Sequence, residues 1–483
     1  LQRVLFFGMM PDMSTSASAP NIVFLFTDDQ RFDALGAVSP GLVRTPHMDR
    51  LAARGVHFTH AHIPGGTSGA VCMPSRAMVN TGRTLFRLSG AGECIPPAHV
   101  TLGECFRQAG YRTFGAGKWH NGRESYHRSF SAGAEIFFGG MADHWNVPAY
   151  DFDPSGKYDK TCPVVEDPFH SNKTKDRSCD HIHAGRHSTD IIADATIRFI
   201  GEQDGSAPFF AYTAFLAPHD PRTMPAKYRA LYKPEEMPLP ANVMPEHPFD
   251  NGELTVRDEM LAPFPRTPDE VRRHLAEYAA MISHLDDRIG DIVEAVRRKG
   301  LLEKTIFVLA GDNGLALGQH GLFGKQSLYE HSTRVPLILA GPGLPAGVRR
   351  DSLVYLLDLF PTLCELTGVP APASVEGRSF LPAAAGAEPG RDLLYLAYTD
   401  KHRGVRTRRH KLIEYVVRGR HVMTQLFDLE QDPHELRNLA GEPGHENLLK
   451  TLRDELFRLR DEWDDCNSPW GKTFWAGYER KEA

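Results

Sequence analysis

Three stretches of this chain are apolar enough to be strands buried on both faces, and each stops abruptly at a group of polar residues. Ile22-Val23-Phe24-Leu25-Phe26 runs into Asp28-Asp29. Pro208 to Leu216 runs into Ala217-Pro218-His219-Asp220-Pro221, and Thr305 to Ala310 into Gly311-Asp312-Asn313-Gly314. Such near-continuous runs suit the strands of a parallel sheet covered by helices on both faces. Open sheets of this kind gather ligand sites beyond the carboxyl ends of their strands. The residues released at those three ends are therefore the first candidates for function.

Helices separate the runs. Thr267-Pro268-Asp269-Glu270 reads as a capping box with Pro at the first helical position. Apolar residues then recur at Val271, Leu275, Tyr278, Ile282, Leu285, Ile289, Ile292 and Val296, one buried stripe that Gly300 ends. The ten prolines of residues 221–268 predict a long irregular connection over the surface. After about residue 385 the texture changes to short antiparallel strands, Leu393 to Leu396, Gly404 to Thr407, Lys411 to Val417 and Leu426 to Leu429, followed by an amphipathic helix over 445–463. The fold class expected is α/β, a large mixed, mostly parallel sheet flanked by helices, with a small C-terminal antiparallel sheet plus helix subdomain. The expected division is a leader or expression remnant over 1–20, a catalytic domain over 21–385 and a C-terminal subdomain over 386–483.

A formal charge of 55 − 61 = −6 leaves no electrostatic footprint for nucleic acid. No apolar run approaches the roughly 18–20 residues of a membrane-spanning helix. The expectation is a soluble protein without nucleic-acid or membrane partners, with the cytoplasm favoured and a periplasmic or secreted location left open by a trimmed signal. The seven cysteines are an odd number without a CxxC pair, which implies neither a disulfide framework nor a zinc framework. Cys162, Cys179, His181 and His183 could form a zinc site, or the two cysteines a disulfide, but the spacing is irregular.

Cys72-Met73-Pro74-Ser75-Arg76, followed by Thr81-Gly82-Arg83, carries the chemistry. Pro74 and Ser75 can start a helix directly after Cys72. Side chain 72 then lies near unpaired backbone N–H groups, with Arg76 one turn on and able to reach back towards it. Cys-x-Pro-Ser-Arg followed by Thr-Gly-Arg closely resembles the signature of the type I sulfatases, of alkaline phosphatase-like fold. The resemblance runs over residues 21–440, through Thr45 to Ala52, Gly117-Lys118-Trp119-His120, Pro218-His219, Gly321 to Lys325 with Arg334-Val335-Pro336, and Leu426 to Leu429 with Asp432-Pro433 and Asn438-Leu439. It implies that Cys72 is oxidised by a maturation enzyme to formylglycine, whose hydrated aldehyde is the nucleophile.

Asp28, Asp29, Asp312 and Asn313 offer only oxygen to a metal, which suits Ca²⁺ or Mg²⁺ better than Zn²⁺. Read alone, Asp-Asp and Asp-Asn-Gly are also ordinary turn residues. The resemblance implies a metal centre of Asp28, Asp29, Cys72, Asp312 and Asn313, with Ca²⁺ preferred to Mg²⁺. It further implies Lys118 and Lys325 on the sulfate oxygens, Arg76 holding the nucleophile and sharing in the metal-side electrostatics, His219 protonating the departing alcohol and His120 taking the proton that regenerates the aldehyde. Trp119 is expected to pack. Arg123, His320 and His331 are candidates for the substrate rim, and residues 121–187 could bind a sugar or simply fold as an insertion. The main expectation is hydrolysis of a sulfated carbohydrate or small sulfate ester. The alternatives are a phosphonate monoester or phosphodiester hydrolase of the same superfamily and a non-catalytic binding protein.

Overall fold

The computed structural model describes residues 19–167 and 169–479. The leader expected over 1–20 therefore lies, but for its last two residues, outside the described residues. The three apolar runs become β1 (Asn21–Thr27), β5 (Phe209–Ala214) and β6 (Thr305–Gly311) at the centre of an eight-stranded sheet. With β2 (Gly55–His62), β3 (Arg112–Lys118), β4 (Ala132–Phe137), β7 (Arg334–Ala340) and β8 (Val348–Tyr355), the order is β8-β2-β7-β6-β1-β5-β3-β4. Only β7 runs against the rest, so the carboxyl ends of β1, β3, β5 and β6 open on one edge of the sheet.

Alternation along β1 explains why both faces must be covered. Ile22, Phe24 and Phe26 join one buried apolar cluster, whereas Val23 and Leu25 join another. The first cluster is closed by α2 (Cys72–Thr81) and the second by α1 (Pro46–Arg54), α3 (Ser188–Gly201) and α4 (Pro268–Arg298). All eight residues of the predicted α4 stripe are buried. Its capping box forms by half: Thr267 Oγ1 accepts the Glu270 N–H at 3.3 Å, but the Glu270 carboxylate turns away to Arg273 and His274.

The connection over 221–268 is irregular as expected, yet it is not confined to the surface. Glu259 is buried, and its carboxylate accepts the N–H groups of Phe323 and Gly324, each at 2.8 Å. A buried loop needs such side-chain partners for its backbone polar groups. Val256, Arg257 and Asp258 consequently reach the cavity at the sheet edge.

The C-terminal strands are β9 (Leu393–Tyr398), β10 (His402–Thr407), β11 (His410–Val417) and β12 (Arg420–Asp428). A fifth strand, Gly65–Gly66, pairs in parallel with β9 and ties this sheet to the segment just before Cys72. The predicted helix is α5 (Glu446–Glu462); a further one, α6 (Pro469–Tyr478), is capped by Ser468 and starts with a proline at its first position. Both helices pack on the sheet around Asp465. That buried carboxylate accepts from Arg403 at 2.6 and 2.9 Å, Tyr395 Oη at 2.7 Å and Trp475 Nε1 at 2.9 Å. Asp465→Ala should lower the unfolding free energy by about 3–5 kcal/mol, because Arg403 would stay buried without its carboxylate, held only by the Thr399 and His402 carbonyls. Guanidinium denaturation checks this, and a loss below about 1 kcal/mol would contradict it.

Candidate active site

The register of the central strands sets the site. Thr27 lies opposite Gly311, so Asp28 and Asp312 leave the sheet side by side. The Asp312 N–H donates to Thr27 O at 3.0 Å, the Asp28 N–H to Ala217 O at 3.1 Å, and the Asp29 N–H to Asp312 Oδ1 at 3.0 Å. Asp29 itself sits at φ 63°, a conformation unfavourable for a side-chain-bearing residue and one that re-aims its carboxylate.

Helix α2 begins at Cys72 and is docked on this edge by its own polar residues. Ser75 Oγ donates to Asp312 O at 2.5 Å. Arg76, fully buried, donates from Nε to Asp312 Oδ2 at 2.9 Å and from Nη1 to Lys118 O at 2.7 Å, with Nη2 at 3.4 Å from Asp28 Oδ2. Gly82 ends the helix at φ 63°, the left-handed cap that glycine adopts most easily. Beside the Cys72 Sγ stand Lys118 Nζ at 3.3 Å and His120 Nδ1 at 3.5 Å. Lys118 Nζ also donates to Asp28 Oδ2 at 2.5 Å, and Lys325 Nζ to Asp29 Oδ1 at 2.7 Å. His219 places Nε2 3.7 Å from Asp29 Oδ2 and donates from Nδ1 to Asp220 O at 2.8 Å.

These groups form the floor of a cavity of about 310 Å³ whose lining includes Cys72, His120, His219 and Lys325, with Met141 and Arg257 on its walls. The charges gathered around Cys72 are three carboxylates (Asp28, Asp29, Asp312) against three cations (Arg76, Lys118, Lys325). Two buried acceptors, Asp28 Oδ1 and Asn313 Oδ1, have no hydrogen-bond partner, although an unpaired buried acceptor costs about 1–3 kcal/mol. Asn313 has committed its nitrogen to Asp29 Oδ1 and Gly314 O, leaving its oxygen free. Unpaired oxygens in an acidic cluster are what a hard divalent ion requires, and Asp28, Cys72 and Asp312 present ligand atoms within 4.8 Å of one another. The residues fit such an ion.

Burial dominates the proton affinities. It raises the Cys72 thiol, against the opposing charges of Lys118 and Lys325. Burial, then the charge of Asp28, pushes Asp312 up to about 7. His120 is driven down to about 2 by burial and by the Lys118 and Arg76 charges, which leaves it a neutral imidazole at neutral pH.

Residues 20–369 match the sulfatase family, and residues 318–462 match the C-terminal family of N-sulphoglucosamine sulphohydrolase. The chain belongs to the sulfatase family. An N-acetylglucosamine-6-O-sulfatase of Bacteroides thetaiotaomicron is 26% identical, over 93% of this chain and 88% of its own. A protein solved in complex with its substrate D-glucosamine-2-N,6-O-disulfate superposes with a TM-score of 0.73 at 22% identity, covering 93% of this chain and 99% of that one. The phosphonate monoester hydrolase of Agrobacterium radiobacter gives 0.71 at 22% identity, covering 92% and 96%. The superpositions establish the fold, and the family establishes a hydrolase of sulfate esters.

Within this sulfatase the expected metal and nucleophile positions come together, but four side chains differ from expectation. Arg76 lies on the metal-side carboxylates as expected but does not reach back to residue 72; its guanidinium is taken up by Asp312, Asp28 and the Lys118 carbonyl, and Lys118 and His120 flank Cys72 instead. Arg123 is not on the cavity. It donates to Ser178 Oγ at 2.8 Å and Tyr150 Oη at 3.3 Å, bracing the insertion. His320 and His331 flank Lys325 in sequence, yet both are buried away from the cavity. The His320 ring stacks on Tyr329 at 4.0 Å, and His331 pairs with Ser327 Oγ at 3.2 Å. All seven cysteines are free, and the Cys162 thiol turns to Asp180 O at 3.1 Å, which leaves no Cys162–Cys179 bridge and no four-residue zinc site. Trp119 packs, with its indole N–H on Ser125 Oγ at 2.9 Å.

Sequence reasoning missed the residues that hold the site from behind. Tyr278, read as part of an apolar stripe, donates its hydroxyl to Asp29 O at 2.6 Å. His144, one of several polar residues of the insertion, donates from Nε2 to His219 O at 2.9 Å, with Nδ1 against Ser188 Oγ at 2.7 Å. Burial lowers His144 to about 4, so the folded protein keeps it neutral while the unfolded chain protonates it below about 6.5. Its contribution is complete above that pH and lost as pH falls, amounting to about 3 kcal/mol by pH 4. Unfolding followed from pH 6.5 to 4 should show a correspondingly shallower decline for His144→Gln than for wild type. Parallel declines would contradict the assignment.

Proposed function

We propose that this sulfatase removes sulfate from a sulfated carbohydrate by way of a formylglycine made from Cys72 by a maturation enzyme. The observation that carries the proposal is the setting of the Cys72 Sγ at the first residue of α2, between Lys118 Nζ and His120 Nδ1 and beside the acidic cluster. A buried thiol held protonated is a poor nucleophile at neutral pH, which favours its conversion. The formylglycine, once hydrated, supplies the attacking hydroxyl. Asp28, Asp29, Asp312, Asn313 and residue 72 would hold a Ca²⁺ ion, which would neutralise charge on the sulfate oxygens; the mix of carboxylates and one amide suits it better than the smaller Mg²⁺.

The chain's own residues do the remainder. Three carboxylates against three cations become a net +2 with the ion, which matches a leaving sulfate. Lys118 and Lys325 are kept charged by Asp28 and Asp29 despite burial and face the sulfate oxygens. Arg76 fixes the Asp312 carboxylate. Neutral His120 would take the proton of the second hydroxyl on hydrated residue 72, so that the C–O bond to the transferred sulfate breaks, sulfate leaves and the aldehyde is restored. His219, with Nε2 3.7 Å from Asp29 Oδ2 and on the cavity lining, is the residue we assign to deliver a proton to the departing alcohol oxygen.

A saccharide is supported by the half-exposed guanidinium of Arg257 on the cavity wall, and by the glucosamine substrates named for two relatives. The catalytic unit we assign is 21–385, with 386–483 as a subdomain. Mass spectrometry of the peptide spanning Cys72 should show a mass about 18 Da below that of the unmodified thiol. Cys72→Ala should abolish aryl sulfate hydrolysis with the fold intact; wild-type turnover by that variant would overturn the nucleophile.

A further inference from the structure

The insertion over 121–187 holds a cluster with no part in the chemistry above. His181 and His183 stand two residues apart at the short strand His181–Ile182, which pairs with Pro148–Ala149. That spacing puts both rings on one face. Facing them is Glu135, the extra residue of a bulge in β4: Ala134 pairs with Ala116 and Ile136 with Gly117, and Glu135 between them has φ 54°. Bulges re-aim side chains, and this one directs a buried carboxylate at both imidazoles. Glu135 Oε1 lies 2.9 Å from His183 Nε2 and Oε2 lies 3.2 Å from His181 Nε2. Among the described residues no Lys or Arg pairs with Glu135.

We infer that Glu135, His181 and His183 form a second metal site, for zinc or a similar borderline divalent ion. The three ligand atoms all lie within 4.8 Å of one another. Bonds of about 2.0–2.1 Å in a tetrahedron require ligand edges of about 3.3 Å; each imidazole stands at about that distance from one of the two Glu135 oxygens, so either oxygen could complete the set with a small turn of the carboxylate. Two imidazoles and a carboxylate select zinc over calcium, the reverse of the all-oxygen preference at the active site. His181 and His183 are 25% and 37% exposed, which leaves a fourth position open to water. The site would staple the sheet's edge strand β4 to the short strand His181–Ile182. The chain between them carries Gly140, which lines the catalytic cavity, and His144, which holds His219.

The test uses the full chain saturated with Ca²⁺, so that the oxygen site is filled, titrated with Co²⁺ as a visible probe and with Zn²⁺. Wild type should bind one further equivalent with a visible d–d spectrum, and Zn²⁺ should raise its Tm by several degrees. The double variant His181→Ala, His183→Ala should lose both responses, and Glu135→Gln, which keeps the shape of the side chain, should weaken binding at least tenfold. Circular dichroism shows that each variant is folded. The inference is overturned if wild type takes up no further equivalent, or if both variants bind and respond as wild type does.

Discussion

The site depends on one alignment: β1 and β6 run parallel in register and deliver Asp28 and Asp312 together into a space without solvent. Two carboxylates so placed repel each other and lose their hydration, and no apolar packing compensates that. Arg76, Lys118 and Lys325 do, each arriving from a different segment. The backbone of the sheet thus fixes the anions, and a helix, the last residue of β3 and a loop bring the cations. The result is a stiff, preorganised charge array in which even the unpaired oxygens of Asp28 and Asn313 are held in place.

Much of this was legible in the chain because burial leaves a strong mark on sequence. The β1, β5 and β6 runs are apolar on both faces and could only be central strands, and the polar residues after them could only lie at the sheet edge. The string from Cys72 to Arg83 was legible for a second reason, its resemblance to the sulfatase signature, and the structure shows what Gly82 and the polar residues of α2 do there. Less was legible where a long or polar side chain had several partners in reach. Arg76 had acids to choose from, and its direction depends on Asp312, which lies 236 residues away in sequence. His320 and His331 stand near Lys325 along the chain, but the turn between them buries both against Tyr329 and Ser327. Glu135 gave no signal at all, because a bulge is a matter of register between two strands.

The peripheral parts matter through what they hold. The insertion braces His219 through His144, and the C-terminal sheet takes Gly65–Gly66 as its edge strand a few residues before Cys72. Neither contributes a charged group to the acidic cluster. Both fix the segments that do, which explains how a site built from one sheet edge needs nearly the whole chain.

The central claim is that this edge is built around a hard cation. Crystals grown with Ca²⁺ and measured at long wavelength test it most directly. An anomalous peak about 2.3–2.6 Å from carboxylate oxygens of Asp28, Asp29 and Asp312 and from Asn313 Oδ1 is the predicted result. Well-ordered crystals at saturating Ca²⁺ with no peak among those four side chains would contradict it.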